Sequence, residues 1–303
     1  MECQLRTRFF DLFKKRKILK RIRNYQIKEI SRIAVIYYIP KTNTEKYNNW
    51  SDGFTSAVKL LDDEFNVTWI NLADQKPTAT DLNAFDFLIV KSCWNWIVDR
   101  YIRSLECLNT PRGIMISCSK KSIQREWMFF YDILWYETNW YKEYIAAHPY
   151  VYHAFGINSE VFHNRNLDKI YDVVSIGALT AYKRHNEILK IPGQNKLVIG
   201  NKNEKDSQQI IDELEKESVN VLDYVSQEKL SIILNQTKLV YIPAEVDGGG
   251  ERAVLEARKC GAEVLVQKDN PKLEELLKGE VWDQFYYSNQ LKKGIFDIQN
   301  KLS

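Results

Sequence analysis

The chain has 303 residues, with 43 Lys and Arg against 40 Asp and Glu and 45% apolar residues. This length suits two domains, and the composition excludes a disordered or collagen-like chain. The sequence has no apolar run near the roughly 18 residues that a membrane-spanning helix needs. Charge is unevenly distributed, because residues 1–32 carry 11 basic and three acidic residues, a net +8, while the rest of the chain carries −5.

The basic segment at residues 1–30 is predicted to form an amphipathic helix, called the arm below. Such a helix can lie on an anionic membrane surface, or its apolar side can pack on the body of the protein. The sequence leaves both alternatives open. Nucleic-acid binding is not expected, because the body is acidic. Apolar residues recur in the arm at helical spacing: Leu5, Phe9, Leu12 and Phe13, then Ile18, Leu19 and Ile22.

The cysteines indicate a reducing compartment. There are five of them, Cys3, Cys93, Cys107, Cys118 and Cys260. Their number is odd and no two form a CxxC pair, so neither a disulfide framework nor a zinc site is suggested. Reduced thiols predict a cytoplasmic protein. The arm leaves open the alternative that the protein is peripheral at the membrane.

Beyond the arm, short β-branched and aromatic runs alternate with helix-length segments. Runs of this kind are typical of strands that are buried on both faces of a parallel sheet. The predicted strands are 33–39, 66–70, 86–90, 113–117, 132–136, 150–153, 172–176, 196–199, 219–222, 238–242 and 263–266. The predicted helices are 51–61, with Ser51 or Asp52 as N-cap, and 208–217, 227–234, 251–260 and 271–277.

This alternation predicts an α/β protein with two Rossmann-like, doubly wound parallel sheets that face a cleft, preceded by the basic helix. In such sheets, ligands bind at the carboxyl ends of the strands. The predicted parts are the arm (1–30), an N-terminal domain (31–150), a C-terminal domain (151–281) and a last helix (282–303).

One predicted strand-to-helix junction carries three consecutive glycines. A strand ends at Pro243, an acidic loop with glycines at 248–250 follows, and a helix begins near Glu251. The glycines leave the backbone open to a ligand, and the N–H groups at the helix start favour an anion such as a diphosphate. Glu256 lies about one and a half turns further on, where a carboxylate can accept hydrogen bonds from sugar hydroxyls. An ordinary turn between strand and helix is the alternative.

This stretch resembles the donor-site motif of GT-B glycosyltransferases, in particular the retaining family 4 group, also called group 1 glycosyltransferases. The motif has a Glu, seven residues and a second Glu followed by Ala-x-Ala-Cys-Gly, and residues 254–261 match its second part closely. Residues 156–162, 174–185 and 221–234 resemble further segments of the family in the same order. Residues 282–293 resemble its last helix, which crosses back onto the N-terminal domain.

The resemblance implies that residues 151–281 form the donor domain and residues 31–150 the acceptor domain, and it implies a role for each matching residue. Glu256 would bind the ribose of a nucleotide, Lys183 would contact the donor diphosphate, and the backbone of the glycine loop would face sugar and phosphate. The donor-binding residues that it implies are Gly177, Lys183, Arg184, Gly248, Gly249, Gly250, Arg252 and Glu256.

The sequence departs from the family motif at two positions. The first Glu is replaced by a glycine, so Asp247, and after it Glu251, is the candidate for the catalytic carboxylate that contacts the sugar. The Arg of the phosphate-binding segment is Ala178 here. Arg184 or Arg252 is expected to supply that charge, because a leaving diphosphate needs cationic or N–H stabilisation.

The acceptor site is less clearly marked. Trp50, Asp52, Trp94 and Trp96 are the candidates, since tryptophan rings can stack on an acceptor sugar. Packing inside the protein is the alternative for Trp94 and Trp96, and the sequence leaves it open.

Together these features predict a hexosyltransferase that moves a sugar from a nucleotide-sugar donor to a glycan or lipid-linked acceptor, as in polysaccharide biosynthesis. The resemblance implies retention of configuration, a UDP- or GDP-linked donor, no metal and no cofactor. The expected partners are donor and acceptor, with an anionic membrane surface through the arm and no nucleic acid. A nucleotide-sugar epimerase and a non-catalytic binding protein of the same fold are the alternatives.

Overall fold

The structure is a computed structural model that describes residues 2–25, 29–40, 47–91, 97–117 and 125–302. The chain forms two compact units. The first extends to Phe155 and resumes at Phe285, and the second is Gly156–Gln284. The boundaries expected from the sequence, 150/151 and 281/282, fall a few residues before these.

A six-stranded parallel sheet forms the centre of the first unit. Its spatial order is β2-β1-β3-β4-β5-β6, and every neighbouring pair is parallel. β3, β4 and β5 are buried at every residue, as in sheets that helices cover on both faces. The strands are β1 (Arg32–Tyr37), β2 (Asn66–Asn71), β3 (Phe87–Val90), β4 (Arg112–Ile116), β5 (Ile133–Tyr136) and β6 (Val151–His153).

A long helix precedes these strands, and short helices connect them. They are α1 (Glu2–Asn24), α2 (Gly53–Lys59), α3 (Ala79–Leu82), α4 (Ile97–Ser104), α5 (Arg125–Met128) and α6 (Asn139–Ile145). Asp52 is the N-cap of α2, because its Oδ1 accepts a hydrogen bond from the N–H of Thr55 at 2.8 Å. The sequence does not predict α3 and α5, since a single turn is too short to show helical periodicity.

The second unit is a five-stranded parallel sheet of order β11-β10-β7-β8-β9. Its strands are β7 (Tyr171–Ile176), β8 (Lys196–Ile199), β9 (Asn220–Leu222), β10 (Thr237–Ile242) and β11 (Glu263–Val266). Its helices are α7 (Ser207–Lys216), α8 (Gln227–Asn235), α9 (Glu251–Lys259) and α10 (Pro271–Glu275). All eleven strands expected from the sequence are present, and the prediction of two parallel α/β sheets is confirmed.

The last helix, α11 (Gln284–Leu302), packs into the core of the first unit. It contributes an apolar stripe whose spacing of four, four and three residues keeps it on one helical face. The indole N–H of Trp135 also donates to the carbonyl of Gln290 at 3.3 Å. The buried residues of the stripe are Tyr287, Leu291, Ile295 and Ile298.

The second half of α1 belongs to the same core, as one of the two alternatives for the predicted arm requires. Ile18, Ile22 and Tyr25 are 1%, 0% and 6% exposed. Packing on the body is therefore right for this half of the predicted arm. In the described part of the chain, no helix is both long and apolar enough to cross a membrane.

A polar cluster centred on Asp132 fastens α1 to the first sheet. The buried carboxylate accepts hydrogen bonds from Arg21 (Nη2 to Oδ1, 2.7 Å), the Tyr25 hydroxyl (2.9 Å) and the backbone N–H of Arg112 (3.0 Å). Burial, and then the charge of Asp132, raise the pKa of Tyr25 far above its ordinary value, so the phenol remains protonated and able to donate. Arg21 in α1 and Tyr25 just after its end are thus tied to a carboxylate more than 100 positions away.

Asp132→Asn is expected to destabilise the first unit by about 3 kcal/mol, because it leaves the charge of Arg21 without its buried partner. Denaturant unfolding followed by tryptophan fluorescence measures the loss. Asp81→Asn is the control, since it changes an exposed carboxylate near the start of α3 and should cost less than about 1 kcal/mol. Equal losses in the two variants would show that the Asp132 cluster does not hold α1 in place.

Candidate functional site

The candidate site lies at the carboxyl ends of three strands in the second unit. The loops there are 177–184 after β7, 243–250 after β10 and 267–270 after β11. Because β10 lies between β7 and β11, its loop is the middle one. The N–H of Glu245 donates to the carbonyl of Tyr182 at 2.9 Å, which joins the first two loops.

The middle loop ends in two glycines with backbone conformations that other residues avoid. Gly249 has a φ of 71° and Gly250 a φ of 119°. A Cβ at Gly250 would also lie only 2.9 Å from Cγ2 of Ile242. α9 begins at the next residue, Glu251, so the N–H groups of its first turn, which have no partner within the helix, open onto this loop.

Lys183 and Glu251 approach the same point beside Gly249. The position that a Cβ of Gly249 would occupy lies 3.9 Å from Nζ of Lys183 and 3.6 Å from Oε2 of Glu251. An ammonium and a carboxylate therefore flank bare backbone at the start of a helix. The sequence assigned both residues to the donor site, and the fold brings them together.

The other glycines of the predicted site leave room for the loop after β7. A Cβ at Gly177 would lie 3.1 Å from Cδ of Lys183, so the lysine stem passes directly over this residue. A Cβ at Gly248 would lie 3.1 Å from the carbonyl oxygen of Tyr182. Gly177 thus leaves room for the lysine stem within its own loop, and Gly248 allows the loop after β10 to approach the loop that carries Lys183. The position of Lys183 depends on both.

Glu251 is held in a buried ion pair that the sequence analysis missed. Its Oε1 lies 2.7 Å from Nζ of Lys272 in α10, and the two side chains are 5% and 0% exposed. Because taking two charges out of water is costly, such a pair needs good geometry to persist, and it fixes the carboxylate at the start of α9. Sequence reasoning had no signal for Lys272, since a lysine in a short helix is ordinarily solvent-exposed.

Arg184 binds two carboxylates, whereas the sequence assigned it to the donor diphosphate. Its Nη1 lies 2.7 Å from Oδ2 of Asp269 and its Nη2 lies 3.3 Å from Oε1 of Glu245. The residue has a φ of 52° and ends the 3-10 turn Ala181–Lys183. Its guanidinium therefore ties the loop after β7 to those after β10 and β11, a structural role that positions Lys183.

Glu256 and Arg252 form a second ion pair on α9. Nε of Arg252 lies 3.2 Å from Oε1 of Glu256, one turn further along the helix. The carboxylate side chain is 5% exposed and the arginine side chain 49% exposed. Arg252 thus reaches solvent at the edge of the site while its charge compensates a buried carboxylate.

Exposed polar and aromatic side chains surround these buried groups. Asp247 is exposed on the 3-10 turn Val246–Gly248. Tyr182 and Tyr224 expose 46% and 59% of their surface. Desolvation raises the pKa of Tyr224 and the charge of Arg252 lowers it, so these two side chains are neighbours. Neither tyrosine was predicted from the sequence, although each closely follows a predicted strand at its carboxyl end.

The predicted acceptor residues belong to the first unit, and two of them are described. Asp52 is buried, and its carboxylate accepts hydrogen bonds from the Tyr47 hydroxyl at 2.8 Å and from Thr55 at the start of α2. Trp50 is half-buried, with its ring 5.0 Å from that of Tyr47. These contacts correct the acceptor assignment of Asp52, which is a helix cap. Two further candidates, Trp94 and Trp96, lie outside the described residues.

His185 is buried beside the loop that carries Lys183. Its Nδ1 lies 2.9 Å from Oγ of Ser175 and its Nε2 lies 3.1 Å from the carbonyl oxygen of Ala178. Burial, and then the charge of Lys183, lower the pKa of His185 to about 4. The ring is therefore neutral at pH 7, and its contacts with Ser175 and Ala178 support the loop that carries Lys183. Over the described ranges, no group of three or more His, Cys, Asp and Glu side chains is placed to hold a metal ion.

The segment of the chain that matches a known family includes this site. Residues 158–295 match the model of a family described as Glycosyl transferases group 1. The matched segment is a little under half of the chain and contains all three loops of the site. The resemblance to group 1 glycosyltransferases is thereby confirmed for this part of the chain. No curated protein matches the sequence.

Solved glycosyltransferase-fold structures align over most of both units. Sucrose-phosphate synthase from Thermosynechococcus elongatus has a TM-score of 0.58 and 12% identity, with 90% of this chain and 91% of that chain covered. AviGT4, a glycosyltransferase involved in avilamycin A biosynthesis, has a TM-score of 0.58 and 11% identity, with 90% and 92% covered. Anabaena HepE in complex with UDP-glucose has a TM-score of 0.58 and 11% identity, with 89% and 91% covered. The fold of the chain is thus the GT-B fold.

Lowering the pH from 7 to 5 is expected to remove about 2 kcal/mol of stability through His185 alone. An unfolded histidine titrates near pH 6.5 and the folded His185 near 4, so protons bind the unfolded state preferentially between these values. The contribution is complete above pH 6.5 and is lost as the pH falls towards 4. Unfolding midpoints at pH 7 and 5 should differ less in His185→Asn, and identical pH dependence of variant and parent would contradict the neutral buried ring.

Proposed function

We propose that the protein is a glycosyltransferase that moves a sugar from a nucleotide-sugar donor to a glycan or lipid-linked acceptor. The observation that carries the proposal is the meeting of Lys183 and Glu251 at the bare backbone of Gly249, where α9 begins. A cation next to a helix start suits a diphosphate, and a fixed carboxylate beside them suits a sugar hydroxyl. The family match over residues 158–295 includes all of these groups.

In this proposal, the donor diphosphate binds between Lys183 and the N–H groups of Gly250 and Glu251. These groups stabilise the negative charge that develops on the diphosphate as the bond to the sugar breaks. The same stabilisation removes the need for a metal, and transfer proceeds with retention of configuration, as the resemblance implies. A UDP- or GDP-sugar is the expected donor, and the UDP-glucose complex of HepE supports the former.

The nucleoside of the donor lies further along α9. Glu256 accepts hydrogen bonds from the ribose hydroxyls, and these bonds are strong because a buried carboxylate has few competing waters. Tyr182 and Tyr224 offer exposed rings at the same edge, on which a base can stack. Arg252 lies between Glu256 and the two tyrosines and adds a positive charge to the site.

For the carboxylate that replaces the first Glu of the family motif, we favour Glu251 over Asp247, which reverses the preference from sequence. Glu251 is 4% exposed and held by Lys272, whereas Asp247 is exposed on a turn. A carboxylate that is already fixed and desolvated interacts with a developing positive charge without reorganisation, and an exposed one does not. Glu251 is therefore the proposed sugar-contacting residue.

Lys183→Ala is expected to weaken nucleotide-diphosphate binding at least about tenfold, because it removes the cation at the proposed phosphate position. Thermal shift with UDP, GDP and ADP measures binding, since a ligand raises the midpoint by mass action. Lys190→Ala is the matched control, because that lysine is 71% exposed beyond the same loop. Wild-type midpoints that none of the nucleotides move would contradict the proposed function, and equal binding by both lysine variants would contradict the site.

Glu251→Gln is expected to lower the turnover of sugar transfer about 100-fold with little change in nucleotide binding, whereas Asp247→Asn should retain most activity. Because Glu251→Gln leaves Lys272 buried without its partner, the double variant Glu251→Leu/Lys272→Met serves as a fold control. It replaces the pair by apolar side chains, which is often neutral for stability. A stable double variant with full activity, or an inactive Asp247→Asn, would reverse the assignment.

Analysis of the products separates transfer from epimerisation. With donor and a glycan or lipid-linked acceptor, the transferase consumes donor and releases the nucleoside diphosphate. Conversion of the donor sugar to its epimer in the absence of acceptor would instead identify the epimerase that the sequence leaves as an alternative.

A further inference from the structure

α1 has one face that packs on the first unit. Ile18, Ile22 and Tyr25 follow one another at spacings of four and three residues and are buried in the core. Arg21 lies beside them and pairs with Asp132 at 2.7 Å. This face accounts for the apolar residues in the second half of the predicted arm.

A different line of residues runs along the opposite side of α1. Arg16, Lys20 and Arg23 are exposed, and Leu12 exposes 49% of its surface. At about 100° of rotation per residue, these four positions lie about 120–200° around the helix axis from Ile18. They therefore point away from the unit on which α1 packs.

This line, called the outer stripe, consists of Leu12, Arg16, Lys20 and Arg23. It joins one exposed apolar side chain to three exposed cations on α1, which is one helix over Glu2–Asn24. The face that packs on the first unit contains none of the stripe.

We propose that the outer stripe binds an anionic lipid surface. Leu12 enters the boundary between headgroups and acyl chains, and Arg16, Lys20 and Arg23 bind the lipid phosphates. The stripe lies in the segment of net charge +8, while the remaining chain carries −5, so an anionic membrane attracts the chain at this helix. The inference is independent of the glycosyl-transfer chemistry, although a lipid-linked acceptor would be met at such a surface.

Two other occupants fit the stripe less well. A nucleic acid would use the three cations but leave Leu12 in water. A second copy of the chain would bring Arg16, Lys20 and Arg23 of the two copies together, where like charges repel. A lipid surface suits both Leu12 and the cations, since an apolar contact and a basic cluster together give binding that either alone does not.

The test is sedimentation of the full-length chain with vesicles of phosphatidylglycerol and phosphatidylcholine, and with vesicles of phosphatidylcholine alone. The charge-reversal variant Arg16→Glu/Lys20→Glu/Arg23→Glu should bind the anionic vesicles at least about 30-fold more weakly. Its matched control is Lys216→Glu/Lys229→Glu/Lys278→Glu, which makes the same change of net charge at exposed lysines of the second unit. Leu12→Ser should weaken binding to anionic vesicles severalfold without changing net charge.

All altered side chains are exposed, so unfolding midpoints and nucleotide binding should match the parent. Deletion of the helix is unsuitable, because it would remove Ile18 and Ile22 from the core. Equal vesicle binding by the two triple variants would overturn the proposal. The proposal would also be overturned if the parent chain did not bind vesicles and the stripe variant abolished either of two other interactions. These are binding of the parent to a mixed-sequence oligonucleotide and self-association of the parent in a sedimentation-velocity run.

Discussion

The buried ion pair between Glu251 and Lys272 is the interaction on which the candidate site depends. It takes two charges out of water at the start of α9, and each side chain is tolerated there only because the other is present. Apolar side chains of similar volume often replace such a pair without loss of stability, so we explain the pair by the position of its carboxylate and not by stability. What it does is hold Oε2 beside Gly249, opposite the ammonium of Lys183.

The arrangement of strands makes this meeting possible. β10 lies between β7 and β11, so the loop with the glycines has the Lys183 loop on one side and the Asp269 loop on the other. Arg184 joins all three through its two carboxylate partners, and the glycines allow the loops to approach closely. Arg184, which joins the loops, and Lys183, the proposed ligand of the diphosphate, thus stand next to each other in the sequence, and only their partners distinguish them.

Much of the fold was predictable because its signals are local. A β-branched run such as 33–39 or 172–176 is buried on both faces wherever it lies in a parallel sheet, so its type is visible without knowledge of its neighbours. The four-residue helices α3 and α5 have no such signal. The helical spacing in α1 showed a helix but not which side packs, because Ile18 and Leu12 are equally apolar and the choice depends on Asp132, far along the chain.

The sequence by itself determined the two parallel α/β units and the glycine loop before α9. These features depend on backbone conformation and burial, which the order of residues encodes directly. The roles of Lys183 and Glu256 come from the family resemblance and stay predictions. Only the tertiary structure decided that Glu251 is fixed by Lys272, that Arg184 is occupied by Asp269 and Glu245, and that Asp52 rather than Ser51 caps α2. An ion pair is made or lost within a few ångströms, and that distance is set by which strands and loops become neighbours.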